Sequence, residues 1–164
     1  MTNIELFRNA MQRLAAPAVA ITTSVNGRPA GLIATSVCSL STEPPSMLVC
    51  VNRTATAHDD ILTQKVIGIS LFPEDAEEDA RHFAMTRGED RFSRGGWSEG
   101  AGGVPLFDRA PFAFACRIAR CFDGYSHTIL VADVVDTRLG EEASERCLLW
   151  HKQTFTTLAP PKVA

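Results

Sequence analysis

The sequence predicts a mainly β protein with flanking helices, built as an antiparallel barrel. Three observations carry this. Strand-like runs dominate, only two or three helices can be drawn, and the two kinds do not alternate as a doubly wound sheet requires. Phe112, Phe114, Cys116 and Ile118 alternate with Ala113, Ala115, Arg117 and Ala119, the period of two that marks a half-buried strand. No Gly-x-Gly-x-x-Gly follows a strand, so a nicotinamide cofactor, if used, is not held in the dinucleotide-binding way.

At the N-terminus, Thr2-Asn3-Ile4-Glu5 has the form of a capping box, and Ile4, Phe7, Met11 and Leu14 recur at helical spacing. A helix to about Ala15 is expected, stopped by Pro17. Ala18 to Val25 reads as a strand, and Asn26-Gly27 as the tight turn into the next, which begins near Pro29. Arg28 to Asn52 reads as two apolar strands joined at Glu43-Pro44-Pro45, because tandem prolines cannot continue a ladder. Thr35, Ser36, Ser39, Ser41 and Thr42 fall on or just after the first of them, where hydroxyls and backbone amides lie close enough to suit a flat polar ligand. The same residues are also ordinary on a solvated strand face.

Beyond Asn52, Thr56 is a candidate N-cap, and a helix start beside Arg53 offers free amides and charge where a phosphate can sit. Simple capping with a solvated arginine is the competing reading. Val66 to Phe72 is a strand containing Gly68, and Pro73 is expected to open a helix. Glu74, Asp75, Glu77, Glu78 and Asp79 crowd its first turns while Arg81 and His82 lie near its end, which matches the helix dipole and argues against a metal site. Phe83 faces either the core or a ligand.

Met85 to Pro111 shows no convincing element, being punctuated by six glycines, and a loop of this length is usually functional or mobile. Arg87, Arg91, Phe92, Arg94 and Trp97 are its chemically interesting members. Gly124-Tyr125-Ser126-His127 turns into a strand from Thr128 to about Thr137, and short strands follow within Arg146 to His151 and Thr154 to Thr157. Residues 1–158 thus make one domain, and 159–164, with Pro160-Pro161, a loose tail.

With 164 residues, 45% hydrophobic, 21% charged and a net charge of -3, the chain has the composition of an ordinary soluble globular protein. No basic stripe points to nucleic acid, and no apolar run approaches the ~20 residues that cross a bilayer. The N-terminus lacks a signal-peptide pattern, so a cytoplasmic location is expected. Five cysteines without paired Cys-x-x-Cys motifs are expected to be free thiols, with no metal.

Several segments, in this order and spacing, resemble one family. They are Phe7-Arg8-Asn9-Ala10-Met11 with Ile21-Thr22-Thr23, Gly31 to Asn52, Arg81-His82-Phe83-Ala84, Arg91-Phe92-Ser93 with Trp97, His127, and Leu149-Trp150. The family is that of the short-chain flavin reductases, which supply reduced flavin to two-component monooxygenases. Its nearest members by these segments are the reductases of 4-hydroxyphenylacetate hydroxylation and of pyrimidine degradation.

The resemblance implies a split β-barrel of Greek-key type that binds FMN or FAD near a homodimer interface. It implies NADH or NADPH as co-substrate and a separate flavin-dependent oxygenase as partner. Flavin contacts are implied for Ala34, Thr35, Ser36, Val37, Cys50 and Asn52, for Arg53, Thr54 and Thr56 around the phosphate, and for Arg81 and Phe83. His127 stands where the family has the nicotinamide-facing His of a Gly-Asp-His or Gly-Thr-His triplet. Here the triplet is Tyr125-Ser126-His127, with Gly124 one place early. Hydride transfer between two rings needs no protein acid, base or nucleophile, which fits the lack of a catalytic dyad. Two other readings stay open, a flavin enzyme of the pyridoxine-phosphate-oxidase type and a flavin- or haem-binding module without turnover.

Overall fold

The computed structural model describes residues 1–141 and 146–158, so the tail expected over 159–164 lies outside the described residues. Helix α1 (Asn3–Met11) precedes strands β1 (Ala16–Pro17), β2 (Val19–Val25), β3 (Arg28–Ala34), β4 (Val37–Thr42) and β5 (Pro45–Asn52). Helix α2 (His58–Gln64), strand β6 (Val66–Leu71) and helix α3 (Glu77–Met85) follow. Strands β7 (Trp97–Glu99), β8 (Pro105–Phe107), β9 (Phe112–Gly124), β10 (His127–Leu139), β11 (Leu148–His151) and β12 (Thr154–Thr157) complete the chain. The main sheet has seven antiparallel strands in the order β3-β2-β6-β9-β10-β5-β4, beside two small sheets, β1-β11-β12 and β7-β8. The expected mainly β, antiparallel architecture with flanking helices is present.

Local chemistry explains the turns. Thr2 and Glu5 close the capping box, with Thr2 N donating to Glu5 Oε2 at 2.7 Å and Glu5 N to Thr2 Oγ1 at 3.3 Å. The helix ends at Met11, short of Ala15, and buries none of its own residues. Asn26 and Gly27 both take positive φ, 52° and 79°, as a two-residue hairpin between right-twisted strands requires. At the β9–β10 hairpin Tyr125 does the same at φ 62°, and the Asp123 carboxylate accepts its backbone N–H at 2.9 Å.

Three expectations are corrected. The first strand of the Arg28–Asn52 stretch is broken: β3 pairs with β2, whereas β4 pairs with β5, and the two lie on opposite edges of the main sheet. The break falls at Thr35-Ser36, where the chain leaves the β2 ladder and Ser36 O accepts Cys50 N at 3.0 Å. Helix α2 is capped at Ala57 without a side-chain bond, so Thr56 is not its N-cap. Helix α3 starts at Glu77, because Pro73 is first drawn into a bridge with Cys147.

The acidic residues around α3 are answered by arginines: Glu77 by Arg81, Asp79 by both Arg94 and Arg109, Asp75 by Arg109, and Glu74 by Arg146. Within Met85–Pro111 the chain forms a 3-10 turn at Gly88–Ser93 and the short strands β7 and β8, elements too brief to show a period.

The period of two in β9 divides two cores over Phe112–Cys116 and core from water beyond, where Arg117 and Ala119 are exposed on either side of buried Ile118. Cys116 and Ile118, with Phe112 and Phe114 packed alongside, join Val19, Ile21, Val49, Ile67 and Leu130. Ala113 and Ala115 face the other way, toward Phe72, Phe83, Leu106 and Phe107. Small alanines on that face admit the aromatic layer between sheet and α3. Gly68 serves the same layer, since a Cβ there lies 2.7 Å from Pro105 O on β8.

Candidate functional site

The predicted ligand residues gather where the β3–β4 break, the end of β5 and the β9–β10 hairpin meet. His127 is the register partner of Asn52 and Ile129 that of Cys50, while Cys50 N reaches back to Ser36 O. Asn52 shapes the chain after β5, its Oδ1 accepting both the backbone N–H and the hydroxyl of Thr54 at 2.9 Å. Ala34 is buried, Thr35 and Val37 are half-buried, and Ser36, Asn52, Arg53 and Thr54 are exposed.

Arg53 is tied to the hairpin that carries His127. Its backbone N donates to Ser126 O at 3.0 Å, its Nε to His127 O at 3.3 Å, and its Nη2 to Asp123 Oδ1 at 2.8 Å. Ser126 Oγ lies 2.9 Å from His127 Nδ1, which fixes the ring and leaves Nε2 for a ligand. Arg53 and His127, assigned in the sequence to separate halves of the site, are therefore neighbours. Tyr125, the first residue of the Tyr125-Ser126-His127 triplet, takes the left-handed conformation at φ 62° that Gly adopts most readily.

The other predicted residues lie apart. Thr56 borders a cleft of about 460 Å³ between the start of β3, the start of α2 and the 3-10 turn. Two cations line it, Arg28 and Arg91. Arg91 donates from Nη1 to Phe83 O at 3.2 Å and covers the Phe83 ring at 5.7 Å. Burial, and then the neighbouring Arg87, lower its pKa from the ordinary arginine value. Arg28 had no signal in the sequence beyond its place after a turn. Thr35 faces a different cleft, of about 490 Å³, lined also by Phe7, Met11, Leu14, Trp150 and Lys152.

Phe83 is 1% exposed and belongs to the core, stacked on Trp97 at 5.0 Å and edge-on to Phe92 at 5.3 Å. Arg81 pairs with Glu77 and covers the Phe155 ring at 5.2 Å. Burial pushes the half-buried Cys50 thiol up from its ordinary value, with Cys38 adding to the effect, so Cys50 remains a neutral thiol. Among the described residues no cluster of His, Cys, Asp and Glu is arranged to hold a metal ion. The arrangement offers backbone amides, hydroxyls, a guanidinium and one imidazole around an open strand end. It can bind and orient a planar anionic ligand, and it presents no acid–base pair.

The family model of the flavin reductase like domain matches residues 11–159. An FMN reductase (NADH) RutF of Agrobacterium fabrum is 36% identical over 153 residues, 93% of this chain and 87% of that protein. The 4-hydroxyphenylacetate 3-monooxygenase reductase component of Pseudomonas aeruginosa is 31% identical over 163 residues, 98% and 95% of the two chains. A Streptomyces globisporus NADH:FAD oxidoreductase, solved with NAD and FAD fragments, superposes with a TM-score of 0.89 at 26% identity, covering 98% of this chain and 96% of that one. With the family model spanning most of its length and relatives above 30% identity over nearly all of it, the chain belongs to the flavin reductase like domain family.

Proposed function

We propose that the protein is an NAD(P)H-dependent flavin reductase that takes FMN or FAD and passes the reduced flavin to a separate flavin-dependent oxygenase. The observation that carries this reading is the meeting of Ser36, Cys50, Asn52, Arg53, Thr54 and His127 at one end of the sheet. The donor set fits a flavin: Arg53 supplies a charge for a phosphate, and Thr54 and the strand break supply hydroxyl and backbone groups for the rest. Bound flavin supplies the hydride-accepting ring. The chain's own part is to hold that ring and orient the nicotinamide through His127.

His127→Ala is expected to raise the apparent KM for NADH about 5-fold, the worth of one hydrogen bond of ~1 kcal/mol, while flavin binding stays nearly intact. Transient kinetics at several NADH concentrations checks this. A loss beyond about 100-fold at saturating NADH instead assigns the imidazole to the hydride-transfer step. Unchanged kinetics removes His127 from the nicotinamide side.

The finer architecture belongs to the same proposal. We read residues 1–158 as one domain whose main sheet closes as a split barrel with a Greek-key return through α2. Its support is a matter of reach: three Cα steps from Ala34 to Val37 span at most about 11 Å, whereas the edges of a flat seven-stranded sheet are about 29 Å apart. A homodimer is supported by the stripe Ile4, Phe7, Met11 and Leu14 on and just beyond α1, exposed at between 47% and 64%. Light scattering is expected to give twice the chain mass, and a clean monomer that turns over NADH rules the dimer out. Dependence on NADH supports a cytoplasmic location, which cell fractionation tests.

A further inference from the structure

We propose that Asp123 is a built-in competitor for the flavin phosphate, a carboxylate that occupies Arg53 when no phosphate does and so sets how tightly phosphorylated flavin is held. The inference rests on the reading that Arg53 meets the phosphate. Its basis is geometric. Arg53 Nη2 lies 2.8 Å from Asp123 Oδ1, and Arg53 Nε is turned to His127 O at 3.3 Å, so the guanidinium is already engaged along the hairpin. The same Asp123 Oδ1 accepts Tyr125 N–H at 2.9 Å, which fixes the carboxylate at the turn and keeps it facing Arg53.

A phosphate approaching Arg53 must either displace this carboxylate or share the cation with it. In both cases a negative charge stands against another. The pair is solvent-exposed, with side chains 46% and 79% accessible, so it is weak enough to be exchanged and the cost of exchange is small. A small cost is what a diffusing product needs. A protein that hands reduced flavin to another one gains nothing from holding it tightly, and Asp123 loosens the phosphate end without touching the ring. It is a specificity-determining residue, acting on flavins through Arg53 and on the charge they carry.

The test compares FMN with riboflavin, which shares the ring and lacks the phosphate, titrated at low ionic strength into the parent, Asp123→Asn, Arg53→Ala and the double variant. Asn keeps an oxygen acceptor for Tyr125 N–H and removes only the charge, and melting temperature verifies that the turn persists. Asp123→Asn is expected to bind FMN about two- to five-fold tighter, with riboflavin unchanged and the gain shrinking in salt. In the Arg53→Ala background the same change is expected to give no such gain. If Arg53→Ala weakens FMN selectively but Asp123→Asn leaves FMN unchanged or weaker, competition is overturned and the phosphate assignment stands. If Arg53→Ala leaves the ratio of FMN to riboflavin affinity unaltered, the phosphate assignment itself fails and Asp123 falls with it. Equal tightening of both flavins also overturns the proposal, since the carboxylate then acts on the ring.

Discussion

Phe83→Ala is expected to cost about 3–5 kcal/mol of folding stability, the largest effect of any single change considered for this protein. Phe83 is 1% exposed and sits at the centre of an aromatic layer with Phe72, Phe92 and Trp97. The tip of its ring fills the space above Gly31, where an added Cβ meets Phe83 Cζ at 2.9 Å. Arg91 lies over the same ring and bonds to its carbonyl, so the truncation also removes the support beneath that guanidinium. Denaturant titration measures the loss. If stability falls by less than about 1 kcal/mol while flavin affinity collapses, the ring serves the ligand and its place in the core is not what it contributes.

Arg53→Ala is expected to weaken FMN about 10-fold and riboflavin hardly at all. A charge-assisted contact to phosphate contributes roughly 1.5–3 kcal/mol, and the exposed pair with Asp123 that must be given up offsets about 0.2–1 kcal/mol of it. The remainder, about 0.5–2.8 kcal/mol, brackets one order of magnitude in affinity. Because Arg53 Nε also bonds to His127 O, the variant is expected to show a modest rise in the KM for NADH as well. Equal losses for FMN and riboflavin assign Arg53 to the fold or to the ring, and leave Arg28 and Arg91 in the Thr56 cleft as the phosphate cations.

The mainly β class was legible because the strand signals here are local. The Asn26-Gly27 turn, the tandem prolines and the alternation in β9 each act over a few residues and appear in the structure as expected. The break at Thr35-Ser36 was not legible, since nothing within the chain segment distinguishes one long strand from two whose partners lie at opposite edges of a sheet. The start of α3 was misplaced for a similar reason. Pro73 favours a helix start, and only its bridge to Cys147, 74 residues on, delays it.

In the site, the pairing of His127 with Asn52 and of Arg53 with Asp123 joins residues more than sixty positions apart, which no period or motif reports. Residue chemistry marked Arg53 beside a helix start, and family resemblance singled out Thr54 and His127 and gave all three their roles. Their adjacency, and the separation of Thr35 from Thr56 into different clefts, came from the sheet. Phe83 shows the opposite case, where an aromatic residue within a family segment is taken up by packing.

The central claim is hydride transfer from nicotinamide to flavin on this chain, and anaerobic mixing of the FMN-loaded protein with NADH tests it most directly. The flavin absorbance is expected to bleach far faster than that of free FMN under the same conditions, and to return when air is admitted. Flavin that binds but does not bleach with either NADH or NADPH contradicts the account and leaves a binding module in its place.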